Sequence, residues 1–509
     1  MNTINAVYVN NRDNCATLTD NAEEGDTIRI IDGDKARTVT ARMKIPVWHK
    51  TAISPVEKGD AIYKYGAIVG VALERIEAGD HLHVHNMRSP ENKDATEYGD
   101  DSGCNRQKQE PAPCSSDPPH PENRKFYGYR RQDGKIGIRN HVVVMPGVVC
   151  ADIAARRIAA ATGAVYLQNP YGCGQTVADT ETTLHILSGL LANPNVYGAL
   201  IVGLGCEFLS EERYRAAVER KAPGKPVRYV CIQTGGSIAG TVEKGISAVC
   251  GLAEKAAECT RAECDISELM LGLECGGSDP TSGLSANIVL GEVSDRLVDM
   301  GGTTVISETA EAIGTEHILL KRGATPEIGR AIYTCVRDKE AGFTALGENI
   351  RDSDPSPGNI KAGITTLEEK SLGCIKKSGT RPFTAFAGYG DPVETRGTVF
   401  MDTPAFDAAS TTAKIAGGCQ TVVFTTGLGN PIGNAIAPVI KITGNSETFR
   451  NLNDMLDFET GGTLSGEKTI AQSADELMEL ILRVCTGELV KAEINGSDVI
   501  SIDNNYMLA

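Results

Sequence analysis

The sequence predicts a multidomain α/β protein in which a small N-terminal all-β module precedes two α/β regions with largely parallel sheets. Three observations lead to this prediction. A chain of 509 residues is too long for one hydrophobic core and indicates about three domains. Short alternating strands fill the first part of the chain. Apolar runs alternate with helical segments in the rest, as in βα units.

The N-terminal module is predicted over residues 1–88. Its strands are short and bounded by turns, and one turn pattern recurs. Glu57-Lys58-Gly59-Asp60 and Glu77-Ala78-Gly79-Asp80 each precede an alternating strand. Residues 89–123 are rich in proline, serine and charged side chains, a composition that cannot build a core, so this segment is predicted to be a flexible linker.

The two α/β regions are predicted over residues 124–345 and 346–509. Each apolar run, such as Val142-Val143-Val144-Met145, precedes a turn and a helical segment. Glycine, cysteine and carboxylate residues recur at the predicted strand ends. Because ligands bind outside the carboxyl ends of strands in open α/β sheets, this edge is the predicted binding site.

Composition and charge exclude several function classes. The net charge of −16 would repel nucleic acid and anionic membranes, although a site with local cations can still bind a small anion. No apolar run approaches the ~20 residues of a membrane span, and the first residues lack the pattern of a secretory signal. We therefore expect a cytoplasmic enzyme whose 15 cysteines are mainly reduced thiols.

Three of the eight histidines fall in Gly79-Asp80-His81-Leu82-His83-Val84-His85. On a β-strand the three imidazoles would project to one side, while Leu82 and Val84 would pack on the other. Neutral imidazoles on one face are suitable ligands for a transition metal. The alternative is a surface strand whose histidines make ordinary hydrogen bonds.

Carboxylates and cysteines at strand ends are the other chemical candidates. Glu207, Glu274, Asp279 and Glu308 could be metal ligands, supporting acids or general acid/base groups in a shared pocket. An iron–sulfur cluster could use the three turn cysteines, but their separations follow the βα repeat, so packing is favoured; these are Cys173, Cys206 and Cys275. Neither a phosphate-binding fingerprint nor a GxSxG elbow is present.

A metal beside carboxylates and lysines suits proton abstraction next to a substrate carboxylate. Removing that proton builds negative charge on the carboxylate oxygens, which a divalent ion can offset. The intermediate can then expel a β-substituent such as hydroxide with the help of a general acid.

Specific motifs extend along nearly the whole chain outside the linker. They are Trp48-His49-Lys50, Lys64-Tyr65-Gly66, His83-Val84-His85-Asn86, Gly128-Tyr129-Arg130-Arg131, Gly137-Ile138-Arg139-Asn140, Tyr171 to Gln175, Gly203 to Glu207, Gly272 to Asp279, Glu316-His317, Leu367-Glu368-Glu369-Lys370, Met401 to Pro404, and Ala437-Pro438-Val439-Ile440-Lys441. In these motifs the sequence resembles the UxaA family of sugar-acid dehydratases, which includes altronate and galactarate dehydratases and is related to the two-subunit sulfolactate sulfo-lyase.

The resemblance implies that the N-terminal module is a SAF-type β-clip domain and that the protein is a divalent-metal hydro-lyase. Fe²⁺ is the first candidate ion, with Mn²⁺ or another divalent metal as alternatives. His83 and His85 are better supported as ligands than His81. The candidate catalytic residues are His49, Lys64, Glu207, Glu274 and Glu308. The candidate substrate-binding residues are Lys50, Tyr65, Arg139, Asn140, Gln175, Gly276, Gly277, Ser278, Asp279 and Thr426.

The expected reaction converts D-altronate to 2-dehydro-3-deoxy-D-gluconate. Galactarate dehydration and sulfite elimination from sulfolactate are alternatives, and a non-catalytic sugar-acid binding protein is the alternative of another class. Leu428 stands where the resemblance leads us to expect arginine, and a missing guanidinium removes a bidentate partner for a carboxylate. A homo-oligomer is compatible with the sequence.

Overall fold

The computed structural model describes residues 2–32, 35–90 and 124–504. Most of the predicted linker, residues 91–123, and the last five residues lie outside the described part. The N-terminal module, the middle region and the C-terminal region each form β-structure of the predicted kind, and the predicted fold class is confirmed. None of the described helices is both long enough and apolar enough to cross a membrane.

The N-terminal module consists of two small sheets. The strands of the six-stranded sheet are, in spatial order, Lys35–Thr40, Thr27–Asp32, Thr3–Val7, Cys15–Leu18, Lys50–Ala52 and His81–Leu82. The three-stranded sheet contains Ala61–Lys64, Ala67–Ala72 and Met87–Arg88. Neighbouring strands are antiparallel except for one parallel pair, Thr3–Val7 with Thr27–Asp32. Alternate residues such as Ile28, Ile30 and Leu82 are fully buried between the sheets.

The recurrent Glu-x-Gly-Asp turn fixes the entry of the histidine segment. Gly25, Gly59 and Gly79 have φ angles of 90°, 88° and 94°, a region that favours glycine. A Cβ atom on Gly79 would lie 2.0 Å from the carbonyl oxygen of Thr40, so no larger residue fits there. The turn therefore sets the position at which His81 begins its strand.

The middle region contains a four-stranded parallel sheet. Its strands are Val165–Tyr166, His141–Pro146, Val196–Gly203 and Val227–Cys231 in spatial order. The helices of this region are Asp152–Thr162, Val177–Ala192, Glu211–Lys221, Ile232–Gly235 and Ile238–Ala257, with a short 3-10 helix at Val149–Ala151. Thr176 and Ser210 cap two of these helices by accepting backbone hydrogen bonds, which explains where those helices begin.

The C-terminal region is built on a seven-stranded parallel sheet. Its strands are, in spatial order, Phe383–Ala387, Gly397–Met401, Thr303–Ile306, Met270–Cys275, Thr421–Thr426, Val439–Thr443 and Phe458–Glu459. The sheet combines strands from both sides of the predicted boundary at residues 345/346. A separate antiparallel sheet joins Ile136–Gly137, Lys125–Arg130 and Ala262–Asp265.

Helices cover both faces of the seven-stranded sheet and enclose its core. The α-helices are Asn287–Asp299, Glu316–Arg322, Pro326–Ala345, Ile350–Ser353, Pro357–Lys361, Leu367–Cys374, Asp407–Ala416, Ser446–Asn451, Gly462–Ser465, Ile470–Thr486 and Lys491–Ile494. Shorter 3-10 or π segments are Ile266–Glu268, Ser282–Ala286, Thr309–Ala312 and Ile375–Ser378. The central strand Met270–Cys275 is buried on both sides. The polar residues at its carboxyl end therefore lie in the interior of the protein.

Candidate metal and acid-base site

Four imidazole rings converge on one face of the N-terminal module. The ring centroid of His49 lies 5.0 Å from those of both His81 and His83, and His81 lies 5.2 Å from His83 and 5.5 Å from His85. The Nδ1 atom of His49 is 2.9 Å from Nε2 of His81. We call His49, His81, His83 and His85 the histidine cluster.

The local structure of the histidine segment differs from the predicted strand. Only His81–Leu82 is a strand, and the chain then turns, with the His83 amide donating to the Asn86 side chain at 3.0 Å. Val84 is 46% exposed, so the prediction that it packs opposite the histidines is wrong. The turn folds the segment back on itself, and this folding brings the rings together.

Burial favours the uncharged form of three of the four rings. Desolvation lowers the pKa of His49 to about 4 and that of His81 to about 3, and it also lowers the pKa of His83. Neutral imidazole is the form that binds transition metals. The 2.9 Å separation of the His49 and His81 nitrogens is close to the ~3 Å between adjacent nitrogen ligands at about 2.1 Å from one octahedrally coordinated metal ion.

Backbone carbonyls of the C-terminal region orient two of the rings. His83 Nε2 donates to the Ile360 carbonyl at 3.0 Å, and His49 Nε2 donates to the Lys361 carbonyl at 3.2 Å. The lone pairs of these two rings therefore lie on Nδ1, and carbonyls bonded to the other ring nitrogen commonly orient metal-binding histidines in this way. Both carbonyls belong to the helix Pro357–Lys361, whose Asn359 donates to the Ser278 carbonyl at 2.7 Å. One helix thus connects the histidine cluster to a strand-end loop of the large sheet.

The module is docked through a buried ion-pair network. Lys50 and Lys64 lie 2.9 and 2.8 Å from the two carboxylate oxygens of Glu369, and all three side chains are buried. Burial alone would raise the pKa of Glu369, but the two ammonium groups hold it well below its usual range. Lys50 also donates to the Gly363 carbonyl at 2.8 Å. In this structure both lysines are therefore engaged in docking, while their predicted roles with substrate stay predictions.

A second group of ionisable side chains lies at the carboxyl edge of the seven-stranded sheet. Glu274 is the penultimate residue of the central strand and accepts hydrogen bonds from Ser410, at 2.9 Å, and from Lys414. Glu308 follows the next strand with a φ angle of 71°, a strained conformation for a residue other than glycine and one that is common at functional sites. The Oε1 atoms of both glutamates are buried without a hydrogen-bond partner among the described residues.

Two thiols, a third glutamate and a second lysine complete this group. Glu311 Oε2 lies 3.0 Å from the Sγ atoms of both Cys275 and Cys374. Lys377 Nζ lies 2.9 Å from Cys275 Sγ, 3.0 Å from Cys374 Sγ and 2.9 Å from Glu308 Oε2. We call Glu274, Cys275, Glu308, Glu311, Cys374, Lys377 and Lys414 the buried network.

Part of the buried network could itself hold a metal ion. Donor atoms of Cys275, Glu308, Glu311 and Cys374 all lie within 4.8 Å of one another. The ammonium group of Lys377 already contacts three of these four residues and supplies positive charge at the same place. The donors therefore suit a cation, and Lys377 fills that role in this structure.

The carboxyl groups of the buried network differ in protonation. Burial, followed by the charges of Glu274 and Glu311, raises the pKa of Glu308 well above its usual value, which favours the protonated form of this side chain. Burial would also raise the pKa of Glu311, but Lys370 and Lys377 lower it to about 2. Near them, burial and the charges of Glu308 and Glu311 raise the pKa of Asp407 to about 6. Neighbouring acids with separated pKa values are typical of acid/base sites.

A small cavity lies between the module and the strand ends. Its volume is about 20 Å³, room for about one water molecule. Its walls include Tyr65 of the module, Ser278 and Asp279 of the strand-end loop, and Lys370 and Cys374 of the docking segment. The cavity thus adjoins both the docking residues and the buried network.

The predicted strand-end residues of the C-terminal sheet are brought together. The Gly427 amide donates to the Gly277 carbonyl at 3.1 Å, and the Thr426 hydroxyl lies 3.5 Å from the same oxygen. The Asp279 carboxylate accepts from Asn445 and Thr281. Gly276 packs beside Asp407, where a Cβ atom would meet the carboxylate at 2.2 Å.

Four other predicted site residues are held elsewhere in the described part of the chain. Arg139 pairs with Glu493 at 2.7 Å, Asn140 donates to the Ala256 carbonyl, and Gln175 donates to Thr183. Glu207 accepts from the Tyr229 hydroxyl at 2.8 Å and from turn amides of the middle sheet. These contacts join none of the four to the histidine cluster or to the buried network.

The structure separates the three cysteines of the iron–sulfur alternative. Cys173 and Cys206 are exposed, whereas Cys275 is buried against Cys374, so among the described residues the three predicted cysteines do not form one ligand group. Sequence reasoning missed Glu311, Cys374 and Lys377. A signal was available, since Glu311 follows Glu308 by three residues and Cys374 precedes Lys377 by three, the spacing of one helical turn.

Known proteins resemble the chain along almost its whole length. The family profile described as "Altronate/galactarate dehydratase SAF domain" matches residues 4–90, "D-galactarate dehydratase/Altronate hydrolase, second domain" matches 128–257, and "D-galactarate/Altronate dehydratase, C-terminal" matches 266–508.

Curated relatives agree with the profiles. Altronate dehydratase of Bacillus subtilis is 34% identical over 88% of this chain and 89% of the relative, and that of Escherichia coli is 33% identical over 95% of each. The (2R)-sulfolactate sulfo-lyase subunit beta of Chromohalobacter salexigens is 35% identical over 74% of this chain and 96% of the relative. The chain therefore belongs to the D-galactarate/altronate dehydratase family, with an N-terminal SAF domain.

Proposed function

We propose that the protein is a divalent-metal-dependent dehydratase of a sugar acid, with D-altronate as first substrate and 2-dehydro-3-deoxy-D-gluconate as product. One observation carries the proposal: a cluster of imidazoles, three of which are kept neutral by burial, is connected through one short helix to a strand-end loop whose sheet edge holds buried acids with separated pKa values. Membership of a dehydratase family supports the same reaction class.

The histidine cluster is the proposed metal site. His81, His83 and His85 supply imidazole nitrogens, and His49 adds a fourth. Imidazole donors suit Fe²⁺, our first candidate, as well as Mn²⁺ and other transition ions. A bound divalent ion would polarise the substrate carboxylate and so acidify the neighbouring C–H group.

The buried network and Asp407 are the proposed proton-transfer groups. The raised pKa of Glu308 favours its protonated form, which is suited to protonate the leaving hydroxyl group. Asp407, with a pKa of about 6, is largely ionised at pH 7 and is suited to accept the α-proton. The water-sized cavity between the N-terminal module and the strand ends is too small for a sugar acid. We therefore infer that the module shifts away from the strand ends when substrate enters.

Leu428 favours an aldonate over an aldarate. Its backbone amide donates to the Gly277 carbonyl at 2.8 Å, which places it at the strand-end loop, and its side chain is partly exposed. A leucine offers no partner to a second carboxylate, whereas an arginine there could bind one in a bidentate manner. Altronate has one carboxylate and galactarate has two, so altronate is the better match.

A substrate screen tests the reaction. Protein reconstituted with Fe²⁺ is incubated with altronate, other aldonates, galactarate and sulfolactate, and keto-acid product is detected with semicarbazide. We expect product from altronate that disappears when a chelator is added. A complete lack of product from metal-loaded protein would favour the non-catalytic sugar-acid binding protein.

Histidine substitutions test the metal site. His81→Ala and His83→Ala should each lower the metal content per chain and the turnover together, because each removes a ligand while leaving the module folded. His317→Ala is the matched control, since His317 lies outside the cluster and should keep its metal. Unchanged metal content in both cluster variants would show that the ion binds elsewhere, with the buried network as the next site to test.

A further inference from the structure

Two thiols touch each other inside the buried network. The Sγ atoms of Cys275 and Cys374 are 3.4 Å apart, and both residues are buried. Cys275 ends the central strand of the large sheet, and Cys374 ends the helix Leu367–Cys374. The pair therefore joins the sheet edge that carries Glu274 to the helix that carries Glu369.

The geometry favours a thiol pair over a metal-bound pair. Two thiolates on a tetrahedral metal, with bonds of about 2.3 Å, lie about 3.8 Å apart. The observed sulfur separation of 3.4 Å is shorter, and the Lys377 ammonium contacts both sulfurs from the position that a metal would take. Hydrogen bonding with Cys374, burial and the charge of Glu311 raise the pKa of Cys275 well above its usual value although Lys377 lowers it, so the thiol form of Cys275 is favoured.

Only a small oxidant can reach the pair in the docked structure. Cys374 forms part of the wall of the cavity of about 20 Å³ between the module and the strand ends. That volume admits about one water-sized molecule. Hydrogen peroxide is close to this size, whereas a peptide disulfide such as oxidised glutathione is far larger.

We propose that Cys275 and Cys374 are a modification site that hydrogen peroxide converts to a reversible disulfide. The Cys374 sulfur attacks one peroxide oxygen, so an S–O bond forms, the O–O bond breaks, and the leaving hydroxide takes the thiol proton to become water. The Cys275 sulfur then attacks the sulfenic sulfur, an S–S bond forms, and the S–O oxygen leaves as a second water with the remaining two protons. Two thiols lose two electrons and one peroxide gains them.

The disulfide would disrupt the buried network. Bond formation shortens the sulfur separation from 3.4 Å to about 2.05 Å, which draws both sulfurs away from Glu311 and Lys377. It also tethers the helix bearing Glu369, the anchor of Lys50 and Lys64, to the sheet edge. Oxidation should therefore stop the activity of the enzyme until a reductant restores it.

Peptide mapping of the full-length protein tests the proposal without relying on the proposed function. Reduced protein is treated with hydrogen peroxide, alkylated while denatured, digested with trypsin and analysed by mass spectrometry. We expect peptide 262–296 to be cross-linked to peptide 371–376, and the cross-link to disappear after treatment with dithiothreitol. Peptide 262–296 also contains Cys264, which offers a matched control: Cys264→Ser should retain the cross-link and Cys275→Ser should lose it.

If Cys275→Ser does not fold, fragment ions of the cross-linked peptide from the protein without substitutions give the same answer. We expect them to place the disulfide on Cys275. Oxidation confined to exposed cysteines, such as Cys150 and Cys206, would overturn the proposal, and so would a cross-link through Cys264. A thiolate-to-metal absorption band that appears with Co²⁺ and is lost in Cys374→Ser would also overturn it, because the pair would then be a metal site.

Discussion

The histidine cluster and the buried network differ in burial and in charge. The histidine cluster lies near the surface, with His85 exposed, and burial favours the neutral form of its other three rings. The buried network is enclosed, and the ammonium groups of Lys377 and Lys414 lie against its carboxyl groups. Uncharged donors can receive a cation at little cost, whereas groups that move protons inside a protein need fixed counter-charges. The difference supports our proposal that the histidine cluster binds the metal and the buried network transfers protons.

Lys377→Met should have the largest effect, because it removes a buried cation that contacts two sulfurs and one carboxylate. The uncompensated charge left behind should lower the free energy of unfolding by about 5 kcal/mol. Turnover should be lost, while a folded fraction should keep the metal of the histidine cluster. Urea unfolding, keto-acid formation and metal content measure the three outcomes.

Lys468→Met is the matched control for that experiment. Lys468 forms an exposed ion pair with Glu476, and such pairs contribute about 0–1 kcal/mol. If Lys377→Met instead lost its metal in proportion to its activity, the histidine cluster and the buried network would act as one site. The proposal of separate metal-binding and proton-transfer groups would then be wrong.

Glu369→Gln should have the next largest effect, because it leaves Lys50 and Lys64 without a counter-charge. Glutamine keeps one carbonyl oxygen as acceptor, so we expect a loss of about 3 kcal/mol in the free energy of unfolding. The module should undock, and hydrogen exchange should rise in the strands Lys50–Ala52 and Ala61–Lys64. Glu57→Gln, an exposed position in the same module, is the control and should leave both measurements unchanged.

Undocking also bears on the comparison between the two groups. The carbonyls of Ile360 and Lys361 orient His83 and His49, so Glu369→Gln should weaken metal binding although it changes no ligand. Full metal affinity in an undocked module would show that the histidine cluster is complete without the C-terminal region.

Local patterns predicted the elements of the fold better than the site. The predicted apolar run Val142-Val143-Val144-Met145 lies inside the observed strand His141–Pro146, because hydrophobic patterning is local. The convergence of the histidines was predicted, but through an extended strand that the turn at His83 replaces. The sequence pattern held no sign of that turn, since the alternation of Leu82 and Val84 is equally compatible with both structures.

Long-range contacts account for most of what the sequence could not reveal. Cys275 and Cys374 are 99 residues apart, and Cys275 and Lys377 are 102 residues apart. Nothing in either segment alone indicates the other. The strand-end rule placed Glu207 and Glu308 at the carboxyl ends of strands, yet it could not tell that the two strands belong to different sheets.

Glu207→Gln should have the smallest effect, and it tests that separation of sheets directly. Glu207 accepts from Tyr229 and from the turn amides of Leu204 and Gly205, so glutamine should keep part of these bonds at a cost of about 1 kcal/mol. Turnover should stay close to that of the unmodified protein, whereas the same exchange in Glu308→Gln should stop it by removing the proposed proton donor.

Keto-acid formation and urea midpoints distinguish the two glutamates. A Glu207→Gln variant that is stable but inactive would place the edge of the middle sheet in the catalytic site. The proton-transfer groups would then come from both sheets, and the buried network alone would not account for the chemistry.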